Sequence, residues 1–219
     1  MPIATATNYL VAIAHIPLGT SLRVDGVAWE DYEQLMYDLR ESSAVRVFYD
    51  QGRMEIASRF TRHVKLVKVL GRLINAISDE LAIDIESLGT STLKDEMTSK
   101  GAEPDDSFYV QNAAAVIGKE DLDLQHDPPP DIVIESDLTS SSLDRFAIYA
   151  GLGVPEIWRV FNRRVEIWLL QAHGYEESQT SHAFPFVTMA ALNNFLLLGL
   201  TAGERKAAQA FREWIKLHA

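Results

Sequence analysis

The sequence of 219 residues contains no cysteine. This absence excludes a disulfide framework, a thiolate zinc site, an iron–sulfur cluster and a cysteine nucleophile, so any bound metal would take oxygen or imidazole ligands. Proline and glycine are also scarce, at 8 and 12 residues, while 47% of the residues are apolar. This composition excludes a collagen-like or disordered chain and predicts one sizeable folded core.

Long apolar runs and an excess of positive charge are also missing. The longest apolar runs, residues 9–18 and 195–200, are far shorter than the about 20 residues that cross a bilayer. We therefore expect no membrane contact, no signal peptide and a cytoplasmic location. The 20 basic and 31 acidic residues give a net charge of −11. Such a charge repels nucleic acid at long range, although a local basic site remains compatible with it.

The spacing of apolar residues predicts an α/β or α+β fold, a mixed sheet with helices on both faces. Residues 1–25 are expected to form an N-terminal arm that is extended or partly ordered, 26–200 the main domain, and 201–219 a helix packed on it. The predicted elements are a helix over 26–39, a hairpin over 45–56, a helix over 61–81, strands over 83–87, 107–111 and 132–134, a helix over 140–151 capped by one of residues 140–142, a hairpin over 156–170, and helices over 189–198 and 204–217. The inward residues are predicted to be Leu66, Leu70, Leu73, Ile74, Ile77 and Leu81 in the helix over 61–81, and Phe211, Trp214, Ile215 and Leu217 in the last helix. Residues 88–104 and the acidic segment 113–130 are predicted to be connections.

Glu135 is the most unusual residue in this pattern, because it ends a strand of three consecutive apolar residues, Ile132 to Ile134. Such a strand is typical of a sheet centre covered on both faces, where a carboxylate is costly to bury unless it is paired or bound to metal. One interpretation is a metal ligand. The other is that the strand emerges there and Glu135 is solvated or bridged to an arginine.

A metal at Glu135 needs a second carboxylate from elsewhere. Asp131 lies on the same side of the strand, but about 13 Å away at 3.3 Å per residue, too far to share one ion. The acidic cluster over 103–106, at the start of a neighbouring strand, is the obvious source. Such oxygen ligands suit magnesium or manganese, although an acidic loop is often only solvated.

A basic stripe marks the predicted helix over 61–81. Its members recur every three or four residues opposite the apolar face: Arg59, Arg62, Lys65, Lys68 and Arg72. A polyanion could lie along this stripe with its scissile bond near the acidic site, although a solvated helix face explains the same pattern. His63, at the start of the helix, is either functional or a capping histidine.

Several sequence blocks together resemble the Uma-two family of restriction endonucleases. They are Met54-Glu55-Ile56-Ala57-Ser58 with His63, Gly101-Ala102-Glu103-Pro104-Asp105, Pro130-Asp131-Ile132-Val133-Ile134-Glu135, Ile148-Tyr149-Ala150, and Gly153-Val154-Pro155-Glu156-Ile157-Trp158. The blocks span residues 26–170. The resemblance implies a restriction endonuclease-like fold of the PD-(D/E)XK superfamily, whose active site is two carboxylates and a lysine around magnesium.

Transferred to this chain, the resemblance implies that Asp105 and Glu135 are the catalytic metal ligands. The usual lysine position, two residues after the acid, holds Asp137, and the alternative position on the next helix holds Arg145. Arginine keeps the positive charge but cannot act as a base, because its pKa is above about 12. We expect Asp131, Tyr149 and His63 to contact these site residues and orient them without binding the metal themselves.

The resulting hypothesis is a magnesium- or manganese-dependent DNA endonuclease that acts through Asp105, Glu135 and Arg145. Arg62, Lys65 and Arg72 are expected to bind DNA phosphates. The alternative is a catalytically degenerate nuclease fold that binds nucleic acid or a protein without cleavage. A homodimer is expected only by analogy, because double-strand cleavage often uses two active sites.

Overall fold

The structure, a computed structural model, describes residues 6–39, 45–58, 61–119, 122–136 and 144–219; for residues 6–8 and 61–63 it describes the backbone alone. Its helices are α1 (Ala6–Ala14), α2 (Trp29–Asp38), α3 (Thr61–Leu81), α4 (Ala113–Val116), α5 (Arg145–Gly151), α6 (Met189–Ala202) and α7 (Glu204–His218). Its strands are β1 (Ser21–Asp25), β2 (Val45–Asp50), β3 (Arg53–Ser58), β4 (Glu86–Ser87), β5 (Leu93–Asp95), β6 (Lys100–Ala102), β7 (Asp106–Tyr109), β8 (Ile132–Ser136), β9 (Glu156–Phe161), β10 (Arg164–Gln171) and β11 (Gly174–Ser178).

The strands form two sheets. One has five antiparallel strands in the order β1-β3-β2-β6-β5, and the other has six strands in the order β11-β10-β9-β8-β7-β4. In the larger sheet β8 and β9 run parallel and the other neighbours run antiparallel. The mixed α+β class is therefore confirmed, whereas the division into two sheets was not predicted.

Strand β8 lies inside the larger sheet and is buried along its whole length. Ile132 and Ile134 pack with residues of α3, α6 and α7, whereas Val133 packs with Ile148 of α5 and Phe48 of β2. Successive side chains of a strand point to opposite faces. The prediction of a strand covered on both faces is thus confirmed, and one of the two covers includes the smaller sheet.

Helix α3 packs closely against the strand that leads from the acidic cluster. A Cβ atom at Gly71 would lie 3.3 Å from Asp106 Oδ2 and 3.5 Å from the Phe108 ring, so glycine lets the helix approach β7. The predicted inward residues Leu66 to Ile77 are buried, but Leu81, at the end of the helix, is 36% exposed. The prediction of a buried Leu81 is wrong, because the last turn extends beyond the sheet.

The two C-terminal helices are separated at Gly203, where the backbone φ is +101°. Phe211 and Ile215 of α7 are fully buried, and Trp214 stacks on Phe211 with ring centroids 5.5 Å apart. Leu217 was also expected to face inward, but it is 81% exposed. At 100° per residue, Leu217 projects from the side of the helix opposite to Ile215. In the described residues, no helix is both long and apolar enough to cross a membrane.

Residues 6–25 are more regular than the expected arm, which was extended or partly ordered. Helix α1 places Tyr9 in an apolar cluster with Tyr32 and Leu35, and β1 pairs with β3, Ser21 opposite Ala57. The apolar residues of β1 are only half-buried and its polar residues are exposed. Five residues at a sheet edge give too weak an alternation to be recognised without the partner strand.

Short elements also interrupt the segments predicted to be connections. Residues 88–104 contain β5 and β6, and the acidic segment contains α4. The second hairpin is extended by a third strand, β11, which pairs with β10. A strand of three residues has no detectable period, so its existence depends on the neighbour that supplies its hydrogen bonds.

Glu156, the first residue of β9, is a fully buried carboxylate. Its oxygens accept hydrogen bonds from the N–H groups of His182 and Ala183, both at 2.9 Å, and from the Trp158 indole at 2.5 Å. Burial raises the pKa of the Glu156 carboxyl, while the bond from Ala183 opposes the shift. Glu156 therefore ties the segment before α6 to the second hairpin.

We expect Glu156→Ala to lower the free energy of unfolding by about 2 to 5 kcal/mol, because it leaves buried N–H donors without an acceptor. Urea denaturation would measure the loss. The matched control is Glu166→Ala on the same hairpin: the Glu166 side chain is 27% exposed and pairs with Arg159, and such pairs contribute about 1 kcal/mol or less. Equal losses in the two variants would contradict the role assigned to Glu156.

Candidate active site

The ends of two neighbouring strands bring Asp105 and Glu135 together. Strand β7 pairs antiparallel with β8, and Asp105 continues this pairing by donating its N–H to the carbonyl of Ile134 at 3.1 Å. Asp105 Oδ1 and Glu135 Oε2 lie 3.0 and 3.1 Å from the same nitrogen, Nη1 of Arg46. No more than about twice that distance separates the two carboxylate oxygens.

The second oxygen of each acid is held by a different donor. Asp105 Oδ2 accepts the backbone N–H of Ser136 at 2.7 Å and also the Ser136 hydroxyl. Glu135 Oε1 accepts the phenol hydroxyl of Tyr149 at 2.5 Å. These bonds orient both carboxylates, so that the remaining oxygen of each is directed at one common point.

Helix α5 contributes Arg145 and Tyr149 from one face. Its first residue, Arg145, follows the cap Asp144, whose carboxylate accepts the N–H of Ala147. Arg145 Nη1 donates to Glu135 Oε2 at 3.1 Å. Residues four apart on a helix lie one above the other, which explains why Tyr149 reaches the same carboxylate. The predicted cap residues, 140–142, and Asp137 lie outside the described part of the chain.

The smaller sheet supplies two charged residues that the sequence interpretation missed. Arg46 of β2 is 3% exposed and Glu55 of β3 is 1% exposed. Glu55 Oε1 lies 3.8 Å from Arg145 Nη2, and the Arg145 guanidinium lies 4.0 Å from the centroid of the Phe48 ring. The site therefore lies between the two sheets.

A signal for Arg46 was present in the hairpin. Val45, Val47 and Tyr49 occupy one face of β2 and pack in one apolar cluster. Arg46 must then point to the other face of the strand, because successive side chains alternate. Since that face is covered by the larger sheet, Arg46 is enclosed. Only the packing of one sheet on the other distinguishes an enclosed Arg46 from an exposed one.

The burial of this cluster controls its protonation. Burial raises the pKa of the Glu135 carboxyl, although Arg145 and Arg46 oppose the shift. For Arg46 burial alone would lower the pKa, but the charges of Glu135 and Asp105 more than compensate and raise it. Burial and the charge of Glu135 raise the pKa of Tyr149 well above its usual value. Arg46 therefore stays charged and Tyr149 stays protonated at neutral pH.

Glu135 is a buried carboxylate that is paired with arginines. Glu135 is 4% exposed and is bridged to arginines, Arg46 and Arg145. The arginine bridge named in the second interpretation is therefore present, whereas a solvated carboxylate at an emerging strand end is not; the metal-ligand interpretation stays a prediction. The Asp105 side chain is 16% exposed, which is more than the exposed fraction of Glu135 or of the bridging Arg46. Solvent therefore reaches the cluster from the Asp105 side.

Asp131 does not support the acidic pair as expected. Its Oδ2 accepts the N–H groups of Val110 and Asn112 at 2.7 and 3.0 Å, and its Oδ1 accepts the Asn112 side-chain amide at 2.9 Å. These bonds fix the turn after β7. The expected supporting role of Asp131 is therefore wrong. Four residues of extended strand separate Asp131 from Glu135, and both Asp131 carboxylate oxygens already accept hydrogen bonds from other residues.

Two lysines, Lys94 and Lys100, precede Asp105 in the chain and are candidates for the missing amine. Lys100 bonds to Asp50 at 2.6 Å, and Lys94 bonds to Glu33 at 2.5 Å. Among the described contacts, neither lysine reaches Asp105 or Glu135. The position expected to hold the amine is therefore filled by Arg145.

The predicted DNA-binding residues lie on α3. Lys65, Lys68 and Arg72 are exposed. The side chains of Arg62 and His63 lie outside the described residues. Burial raises the pKa of the Asp106 carboxyl, and hydrogen bonds from Ser107 and Ser87 and the charge of Lys68 oppose this shift.

The donor set fits a hard divalent cation. One oxygen from each of two carboxylates is typical of magnesium sites, in which water or phosphate oxygens complete the coordination. Within the described ranges, no cluster of three or more His, Cys, Asp or Glu side chains could hold a metal ion. A cation at this site would thus use Asp105 and Glu135 as its protein ligands.

The larger sheet is mixed, has helices on both faces, and brings Asp105 and Glu135 together at the ends of two adjacent strands. A family model described as "Uma2: Putative restriction endonuclease" matches residues 29–203, and the chain belongs to this family. A solved structure, titled as a "putative nuclease belonging to DUF820" from Anabaena variabilis, has a TM-score of 0.50 and 10% identity. The match covers 78% of this chain and 99% of that one, and shows the fold. No curated protein matches the chain.

We expect Tyr149→Phe to destabilise the protein by about 1 to 3 kcal/mol, because Glu135 loses a hydrogen bond inside the fold. Tyr32→Phe is the matched control: the Tyr32 hydroxyl is buried and has no hydrogen-bond partner within the described part of the chain, so its removal should be neutral or stabilising. Chemical denaturation of both variants would measure the difference. Equal effects would contradict the bond between Tyr149 and Glu135 as a stabilising contact.

Proposed function

We propose that the protein is a magnesium- or manganese-dependent endonuclease that hydrolyses phosphodiester bonds of DNA. The observation that carries this proposal is the convergence of Asp105 and Glu135, each of which directs one oxygen to a point already occupied by a cationic nitrogen. The remaining oxygens are bonded to Ser136 and Tyr149. Two acids fixed in this way have the arrangement needed to hold a divalent cation near a phosphate.

Asp105 Oδ1 and Glu135 Oε2 would hold the ion. A magnesium ion bound there would lower the pKa of a water ligand and offset charge on the phosphate. Ser136 and Tyr149 keep the two acids oriented. Arg145 would bind the scissile phosphate and offset its charge, but an arginine side chain would not serve as the general base.

The exposed bases of α3 give the DNA backbone a path to this site. Gly71 brings the helix against Asp106, next to the more exposed acid, Asp105. Lys65, Lys68 and Arg72 follow one flank of the helix within about 120° of Gly71. DNA phosphates along this basic flank would lie beside the opening at Asp105. We include Arg62 in the same proposed contact with DNA. The homodimer is a separate prediction.

The metal-site proposal predicts that Glu135→Gln and Asp105→Asn each lower the rate of plasmid nicking by about 100-fold or more. Both substitutions keep the side-chain shape and remove the negative charge that attracts the ion. Nicking would be followed on supercoiled plasmid with magnesium, manganese or a chelator. Glu166→Gln, on the second hairpin, should leave the rate unchanged. Nicking that persists in the chelator, or in both acid variants, would overturn the metal-dependent mechanism.

The basic flank of α3 predicts a different defect. Lys65→Ala/Arg72→Ala should weaken DNA binding about equally for all sequences and lower the salt slope by about one for each lost phosphate contact. Arg205→Ala/Lys206→Ala, an equal change in charge on exposed residues of α7, is the control. Fluorescence anisotropy at several salt concentrations would measure both. Equal effects of the two double variants would make the flank an ordinary solvated helix face.

A second candidate is a nuclease fold that binds DNA or a protein without cleaving. The pairing of the acids with Arg46 and Arg145 favours it, because the negative charge that would attract a metal is already neutralised. DNA binding without nicking under every metal condition would select this candidate. Metal-dependent nicking that Glu135→Gln abolishes would select the endonuclease.

A further inference from the structure

Arg46 occupies the point at which the proposed metal ligands converge. Its Nη1 atom lies 3.0 Å from Asp105 Oδ1 and 3.1 Å from Glu135 Oε2. The side chain is 3% exposed and comes from β2, in the smaller sheet. The bridge is therefore an enclosed contact between two sheets, unlike a surface ion pair that solvent screens.

A magnesium ion and this guanidinium nitrogen cannot bind the same two oxygens together. Magnesium takes its oxygen ligands at about 2.1 Å. An ion between Asp105 Oδ1 and Glu135 Oε2 would fill the space that Arg46 Nη1 occupies. Its double charge would also lie against a buried positive charge, in surroundings where water screens little.

We propose that Arg46 is an internal counter-ion that competes with the metal for Asp105 and Glu135. Without metal, Arg46 holds the two carboxylates together; metal binding requires its guanidinium to leave them. The affinity of the site for metal is then set by this exchange as well as by the two acids. The inference rests on the metal site of the proposed function and adds a residue that limits its occupancy.

Arg145 differs from Arg46 in the contacts that matter here. Arg145 donates to Glu135 Oε2 and lies 3.8 Å from Glu55, but among its described contacts none is with Asp105. It also rests on the Phe48 ring, 4.0 Å from the centroid. Arg145 can therefore stay in place when an ion binds, whereas Arg46 cannot.

The test is manganese binding, measured by calorimetry and by the electron paramagnetic resonance signal of the free ion. Arg46→Met, which keeps the length of the buried chain without its charge, should bind the ion about tenfold more tightly or better. Arg145→Met should gain less. Lys100→Met, which removes a cation from the carboxylate of Asp50 instead, should bind as the parent does.

Stability gives the reciprocal readout. Without metal, Arg46→Met should unfold at lower urea than the parent, because the buried acids lose their counter-ion. Saturating manganese should raise the midpoint more in this variant than in the parent. Such linkage is required if the two cations exclude each other.

Each outcome separates the exchange from the proposed function. Equal manganese affinities of the parent and Arg46→Met overturn the competition and leave the metal site standing. Binding to Arg46→Met alone supports the competition and overturns the native endonuclease. If neither the parent nor Arg46→Met binds manganese, both the proposed metal site and the proposed competition are wrong.

A second measurement covers the case in which Arg46→Met does not fold. In the parent, the Arg46 Nε–H resonance, assigned with an Arg46→Lys sample, should shift during a magnesium titration more than that of Arg145. An Arg46 resonance that stays fixed while calorimetry reports binding would overturn the exchange.

Discussion

The bridge from Arg46 to Asp105 and Glu135 is the interaction on which the site depends. It joins β2 of the smaller sheet to the ends of β7 and β8 in the larger one. Buried carboxylates must be paired, and removing one partner of such a pair costs about 3 to 5 kcal/mol. The two sheets therefore meet around charges that only their mutual packing can satisfy. Arg145, Tyr149 and Ser136 complete the set from the other side.

The same bridge would oppose metal binding at the proposed site. A metal-dependent nuclease site needs its acids exposed enough to attract a cation. In this cluster, Asp105 and Glu135 are paired with arginine and little of either side chain is exposed to solvent. Asp105 is the exception, because its side chain is partly open and lies beside the basic flank of α3. If the proposed metal site and the proposed exchange hold, one arginine sets the balance between the metal-free cluster and the occupied site.

Much of the fold could be predicted from the sequence, because several helices and strands bury apolar residues at a regular spacing. Helix α3, both hairpins and the central strand β8 have apolar periods long enough to show their type without knowledge of their partners. The missed elements, such as β5, β6 and β1, are short or half-exposed. Their hydrogen bonds come from neighbouring strands, so no local pattern marks them.

The sequence by itself determined that Glu135 follows three apolar residues of a buried strand, where a carboxylate is costly to bury unless it is paired. It also indicated Asp105 as that partner, through the acidic cluster before a neighbouring strand and a family resemblance. Only the tertiary structure decided that Arg46 would lie between them. Residues 46, 105 and 135 are far apart in the chain, and the packing of one sheet on the other encloses them. Burial on both faces of a strand is a property of that packing, and it turns an ordinary hairpin arginine into a counter-ion.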